Sequence, residues 1–101
     1  MIKLVALYTR PDDVDAFLKH YQTVHDPLVR KTPGLQRFEV SRVVANPMGG
    51  EPAYFLMAEM YYRDMSSFRA AMASPENQAV MQDVMGFAAG LLTAMVCDVQ
   101  E

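Results

Sequence analysis

The chain has 101 residues, a formal net charge of −3 and an apolar fraction of 51%, which is typical of one globular domain, and we expect that domain to span residues 1–101. Lysine and arginine are not clustered, which argues against a nucleic-acid partner, and no apolar run is long enough for a signal peptide or a membrane span. The single cysteine, Cys97, has no partner for an internal disulfide, as is usual in the reducing cytoplasm, where we expect the protein to reside.

The first strand is predicted at residues 2–9, and the first helix starts around Pro11-Asp12-Asp13. The strand is apolar on both alternating sets of side chains, which indicates burial on both faces of a sheet. The helix carries an apolar stripe at helical spacing, formed by Val14, Phe17, Leu18, Tyr21, His25 and Leu28. Because Pro27 lacks an N–H and restricts the residue before it, we expect this helix to end at or near His25 and Asp26 to cap a short second turn.

The rest of the chain predicts three more strands and a second helix in two pieces. Residues 35–45 alternate between apolar and polar side chains, which is typical of an edge strand. A turn-rich loop at residues 46–50 leads to a more apolar strand at residues 53–62. Asp64 is placed to cap a short helix, and Ser74-Pro75 to start another that ends at Gly90. Residues 91–99 form the last apolar strand.

This β-α-β-β-α-β order predicts an α+β fold, a ferredoxin-like sandwich with one antiparallel sheet in the strand order 4-1-3-2 and helices on one face. Strands one, three and four are apolar on both faces, so the face without helices needs a partner. We expect a homodimer in which two sheets pack face to face into an α/β barrel. The alternative is a monomer with an unusually apolar sheet.

His25 is the main candidate for chemistry. It lies on the core-facing stripe near the expected helix end, where burial favours the neutral ring and the helix terminus favours the charged one. Such a ring can act as an acid or a base near neutral pH, or it can simply bond the free carbonyls at the helix end. Tyr21 precedes it by one turn and could orient a ligand or the imidazole, or pack at the rim of the core. His20 is about 140° away from the stripe at 100° per residue, on the flank or in solvent.

Other side chains are candidates for ligand binding. Tyr8 and Tyr54 could line a pocket between the sheet and the helices, although strand tyrosines are more often packing residues. Glu59 and Arg42 are charges expected to point inward from strands, where they either pair with each other or meet a ligand. The two histidines lack the spacing of a helical metal pair, and no second cysteine completes a zinc shell, so we expect no metal.

The run Tyr21-x3-His25-x-Pro27-Leu28, followed by Pro33-Gly34-Leu35, resembles the signature of the EthD family, named from ethyl tert-butyl ether degradation. The resemblance implies a dimeric α/β barrel, the fold of small cofactor-free monooxygenases, with a cleft between sheet and helices near the histidine. Some relatives act on polyketide-like aromatics as dehydratases or decarboxylases. At the matching positions, the resemblance implies that His25 is the acid or base.

Three hypotheses follow for the function. In the first, His25 transfers a proton without a cofactor, in a dehydration, isomerisation or decarboxylation of an apolar or aromatic small molecule, and Tyr21 orients the ring or the ligand. In the second, the protein binds such a ligand without catalysis, as an accessory protein of a degradation pathway. In the third, His25 only closes a helix end. Among enzymes, a cofactor-free monooxygenase is the alternative that the family resemblance adds.

Overall fold

The computed structural model describes residues 1–100, in which four strands form one antiparallel sheet in the order β2-β3-β1-β4. The strands are β1 (Ile2–Tyr8), β2 (Leu35–Arg42), β3 (Leu56–Tyr62) and β4 (Leu92–Asp98). This order is the predicted 4-1-3-2 read from the other edge, with β2 at an edge as expected. The ferredoxin-like α+β fold is confirmed.

The helices are α1 (Val14–His20), a π-helical turn (Tyr21–His25), α2 (Asp26–Arg30), α3 (Met65–Met72) and α4 (Pro75–Phe87). Three of them begin where a short polar side chain bonds a free backbone N–H of the first turn. Asp13 accepts from Ala16, while the predicted caps Asp64 and Ser74 accept from Ser67 and Asn77. No helix within residues 1–100 has the length and apolar character needed to cross a membrane.

A new helical segment, α2, starts at the predicted boundary after His25, but the predicted break in the helix before Pro27 is wrong. The backbone at Asp26 stays helical, with φ −53° and ψ −50°, and its N–H bonds to the carbonyl of Tyr21, five residues back. In this wide turn the backbone hydrogen bonds run from residue i to residue i−5 and not to residue i−4. The regular α-helical pattern therefore ends just before Pro27, which has no N–H to donate. The expected cap is absent too, because the Asp26 carboxylate instead accepts from Arg30 at 2.6 Å.

The two faces of the sheet differ in what covers them. In β3, Leu56, Ala58, Met60 and Tyr62 are buried, and they pack in one cluster with side chains from the helices. Their neighbours in the chain face the other way, together with their partners in register on β1, β2 and β4. We call this second surface the open face; its residues include Lys3, Val5, Leu7, Arg37, Glu39, Met57, Glu59, Tyr61, Thr93, Met95 and Cys97.

Candidate functional site

A cavity of about 300 Å³ lies between the helix-covered face of the sheet and the helices. Of its fourteen lining residues, three have polar side chains, namely Tyr8, Tyr21 and His25. The other walls are aliphatic, aromatic or thioether side chains from β1, β3, β4, α3 and α4. Two of the lining residues, Met81 of α4 and Val96 of β4, are about half exposed, at 47% and 48%, so the cavity wall is open to solvent there. The cavity therefore suits an apolar molecule with a polar group at one end.

The imidazole of His25 is hydrogen-bonded to the carboxylate of Asp83 in α4. Its Nδ1 lies 2.9 Å from Oδ2 of Asp83, and the histidine is only 3% exposed. A carboxylate only accepts hydrogen bonds, so the proton of a neutral His25 ring sits on Nδ1. The nitrogen that carries the lone pair is then Nε2, in a ring that lines the cavity. This is the arrangement of a general base with an orienting carboxylate.

His20 bonds to the same carboxylate, which corrects the expectation that it points away from His25. Its Nε2 lies 2.8 Å from Oδ1 of Asp83. A regular α-helix would place residues five apart on different sides, but the π-helical turn between the two histidines brings residues five apart to one side. The histidines thus share Asp83 as hydrogen-bond partner.

The electrostatic setting keeps His25 neutral. Burial lowers the pKa of its ring below the usual value, and the hydrogen bond to Asp83 opposes this only in part. The predicted influence of a helix end is absent, because the chain continues as helix through Asp26. The structural alternative for this ring is also corrected, since Nδ1 bonds to Asp83 and not to carbonyls at a helix terminus.

Tyr8 and Tyr21 stand beside His25 in the cavity wall. The ring centroids of Tyr21 and His25 are 5.2 Å apart, and those of Tyr8 and Tyr21 are 5.8 Å apart. Burial, with a smaller contribution from the charge of Asp83, raises the pKa of Tyr8 to about 12. Burial likewise raises the pKa of Tyr21 well above its usual range. Both hydroxyls are protonated donors at neutral pH.

The other predicted binding residues lie apart from this cavity. Glu59 is on the open face, where it accepts from Lys3 at 2.9 Å and from Tyr61 at 3.3 Å. Arg42 is on the helix-covered side, stacked over Phe55 with 4.5 Å from its guanidinium carbon to the ring centroid. Of the two alternatives for Glu59 and Arg42, pairing with each other is therefore wrong, because the sheet lies between them.

Arg42 and Tyr54 each line a different pocket. Arg42 borders a second cavity of about 240 Å³, which shares Tyr21 as a wall residue with the first. Tyr54 lines a separate surface pocket of about 250 Å³ with Arg10 and Glu51. Of the four predicted ligand-binding residues, only Tyr8 lines the same cavity as His25 and Tyr21. Arg42 lines the neighbouring cavity, which shares Tyr21 as a wall residue. Tyr54 and Glu59 lie elsewhere.

Comparison with known proteins identifies the family. The family model described as the EthD domain matches residues 11–90, most of the chain. The chain belongs to the EthD family. A solved structure of an EthD family protein from Bacillus halodurans C-125 is 47% identical, with a TM-score of 0.94 and 99% of each chain covered.

Other relatives of this EthD protein are more distant. An uncharacterised 11.0 kDa protein from the thcB-thcC intergenic region of Rhodococcus erythropolis is 33% identical over 97% of this chain and 94% of its own. A dimeric ferredoxin-like protein of unknown function from Thermobifida fusca is 18% identical, with a TM-score of 0.71 and coverage of 97% and 90%. A mutant form of SnoaB, a cofactor-independent oxygenase from Streptomyces nogalater, is 16% identical, with a TM-score of 0.67 and coverage of 99% and 93%. The last two likenesses show a shared fold.

Sequence reasoning missed Asp83 in this EthD domain. Its position carried a signal, because it is an acidic residue on the same side of α4 as the apolar side chains of Val80 and Phe87, one turn from each. What the pattern could not show is that the stripe of α4 faces the histidines, since those lie 58 and 63 residues earlier in the chain. Within residues 1–100 no group of three or more acidic, histidine or cysteine side chains is arranged to hold a metal ion.

Proposed function

We propose that this EthD protein binds an apolar or aromatic small molecule in the 300 Å³ cavity and that His25 transfers a proton to and from it without a cofactor. The observation that carries the proposal is the pairing of His25 with Asp83. Of the fourteen lining residues, His25 alone carries a basic group, and the carboxylate behind it leaves Nε2 as the nitrogen that can take a proton. Burial supports the same role, because it keeps the ring in the basic form.

The chemistry that fits is abstraction of a proton from a carbon next to a carbonyl. The lone pair on Nε2 takes the proton, and the electron pair of the C–H bond moves to the carbonyl oxygen, which becomes an enolate. The hydroxyl of Tyr8 or Tyr21 can donate a hydrogen bond to that oxygen as its charge develops. Protonated His25 then returns the proton to another carbon in an isomerisation, or to a departing hydroxyl in a dehydration. In a decarboxylation of a β-keto acid, Nε2 takes the proton of the carboxylic acid, carbon dioxide leaves as the enolate forms, and protonated His25 returns the proton to the carbon.

A general assay for this base does not require the natural substrate. Parent protein and His25→Asn are each incubated in D2O with 2-tetralone, 1-indanone and phenylacetone, and deuterium entry next to the carbonyl is followed by NMR. We expect the parent to accelerate exchange of at least one ketone and the variant to lose about a hundredfold or more of that acceleration. Equal exchange by folded parent and variant contradicts a role for His25 as the base.

Binding is tested separately through the methionine methyl groups. With methyl-labelled methionine, Met60, Met72 and Met81 report on the cavity wall, whereas Met48 is 92% exposed in a loop and serves as the matched control. Addition of aromatic acids, phenols and the ketones should shift the three cavity signals and leave Met48 unchanged. Shifts of the cavity signals with no exchange of any ketone favour the alternative, a ligand-binding accessory protein without catalysis. No shift with any compound contradicts the cavity as a ligand site.

A second enzymatic candidate is a cofactor-free monooxygenase, supported by the fold likeness to SnoaB. It shares the first step, since a base must first convert the substrate into a carbanion or phenolate before it meets oxygen. The two candidates differ in oxygen uptake, which an oxygen electrode measures with the same panel extended to polyphenols. Proton exchange without oxygen consumption supports proton transfer by His25 as the whole reaction, and oxygen consumption supports the monooxygenase.

We also propose that the protein works as a homodimer, with residues 1–101 as one domain in each copy. Support comes from the open face, where Leu7 and Met57 are half-buried and Met95 is 42% exposed. A second copy of the same face would bury this surface symmetrically. Residence in the cytoplasm is proposed on the single cysteine, Cys97, which is a free thiol.

A further inference from the structure

We propose that His20 is a positioning residue of this site, which holds the second oxygen of Asp83 and thereby sets the proton affinity of His25. Its effect on catalysis rests on the proposed function, but its effect on the titration of His25 does not. The sequence places His20 off the apolar stripe, and the family signature does not contain it. The inference rests on the geometry around Asp83.

Both oxygens of Asp83 are occupied by imidazoles. His20 reaches Oδ1 at 2.8 Å and His25 reaches Oδ2 at 2.9 Å, while the Asp83 side chain is only 16% exposed. Both rings also pack against Phe87, with centroid distances of 4.5 Å for His20 and 5.2 Å for His25. Because each of its two oxygens is hydrogen-bonded to a different imidazole, the carboxylate is held in rotation.

The backbone is shaped to make this sharing possible. The π-helical turn covers the residues that follow His20 and ends at His25 itself. Such turns are rare and are found mainly at functional sites, because the wide ladder is less favourable than regular helix. Here the π-helical turn lets the imidazoles of His20 and His25, five residues apart, bond to the same carboxylate.

His20 and His25 differ in their access to solvent. The side chain of His20 is 35% exposed and lines an outer groove of about 390 Å³, whereas that of His25 is 4% exposed. His20 therefore contacts solvent while His25 is enclosed. The charge of His20 acts to lower the pKa of His25, because it weakens the attraction of Asp83 for a second positive charge on that ring. His20 thus keeps His25 available as a base when the pH falls.

Other charged groups around the pair do not duplicate this effect. Asp12 and Asp13 line the outer groove beside His20, and Asp26 acts on His25 at longer range. On the cavity side, Tyr8 and Tyr21 are neutral at physiological pH. Besides His25 itself, His20 is the one cation-forming side chain among residues 1–100 that bonds to Asp83.

The test is the titration of His25 by NMR of the ring nitrogens in the parent and in His20→Gln. Glutamine removes the imidazole whose charge lowers the pKa of His25, so we expect that pKa to rise by about half a unit or more. Lys19→Gln is the matched control, because it removes a neighbouring positive charge on the exposed side of α1 without touching Asp83, and it should leave the titration unchanged. In the ketone exchange assay, the acid limb of the rate profile should move to higher pH with His20→Gln only.

A second variant keeps the proposal testable if His20→Gln fails to fold. His20→Phe retains an aromatic ring against Phe87 but loses the bond to Asp83, and it should raise the pKa of His25 in the same direction. An unchanged titration of His25 in the folded variant overturns the proposal. If the titration shifts but even the parent exchanges no ketone, the positioning role of His20 stands and the proposed proton transfer falls.

Discussion

Asp83 and Glu59 are two carboxylates with nearly the same burial and very different surroundings. Their side chains are 16% and 14% exposed, and each accepts from two partners. The partners of Asp83 are two imidazoles on the helix-covered side of the sheet. Those of Glu59 are Lys3 and Tyr61, on the open face.

The two carboxylates differ in what their hydrogen-bond partners can do. The His25 ring has a second nitrogen and lines an apolar cavity, so the carboxylate acts on a group that can move a proton to a ligand. The ammonium of Lys3 only donates, and it sits on a surface that we expect a second copy to cover. The burial of an acidic group is therefore a poor guide to function here. A better guide is whether its hydrogen-bond partner has a second group that faces a cavity.

The largest expected effect comes from Asp83→Asn. The amide can donate to Nδ1 of His25 and so favour the tautomer with the proton on Nε2, which removes the lone pair from the cavity. We expect ketone exchange in D2O to fall by about a hundredfold or more. Glu59→Gln is the equivalent change on the open face and should leave the exchange rate within about twofold, since surface substitutions away from a site have small effects. Equal losses in both variants would remove the distinction between the two faces.

An intermediate effect is expected from Leu7→Glu on the open face. In a symmetric dimer the change buries two carboxylates, at a cost of about 1 kcal/mol each, so the dissociation constant should rise about thirtyfold. Sedimentation velocity at micromolar concentration measures the outcome. Met85→Glu, at a side chain 61% exposed on α4, is the control and should not change the assembly. A parent protein that sediments as a monomer contradicts the dimer proposal at once.

The smallest effect is a dependence of stability on pH. The folded protein holds the pKa of His25 below its usual value of 6.5, so on acidification the unfolded chain takes up a proton at this residue first. The free energy of unfolding should therefore be highest above pH 6.5 and decline as the pH falls toward the folded pKa. Urea unfolding at pH 7.5, 6.5 and 5.5 measures this decline, which His25→Asn should reduce. An undiminished decline in the variant would assign it to other groups.

The site was predictable only in part, and the reason is visible at particular residues. The stripe that contains Tyr21 and His25 follows from spacing, and Tyr8 joins it because the alternation of β1 turns it to the same side. Glu59 was misplaced because β3 is apolar on both sides, so alternation alone could not tell which side meets the helices. His20 was misplaced because its position was derived from 100° per residue, and the π-helical turn breaks that rule.

The sequence by itself determined the element order, the strand order and the caps at Asp64 and Ser74, since these depend on local spacing and on chain connectivity. It also pointed to His25 through its place on an apolar stripe. Only the tertiary structure decided that the helix runs through Pro27, that the two histidines share Asp83, and that Glu59 and Arg42 lie on opposite sides of the sheet. These features depend on which distant surfaces meet when the core closes, and no local pattern contains that information.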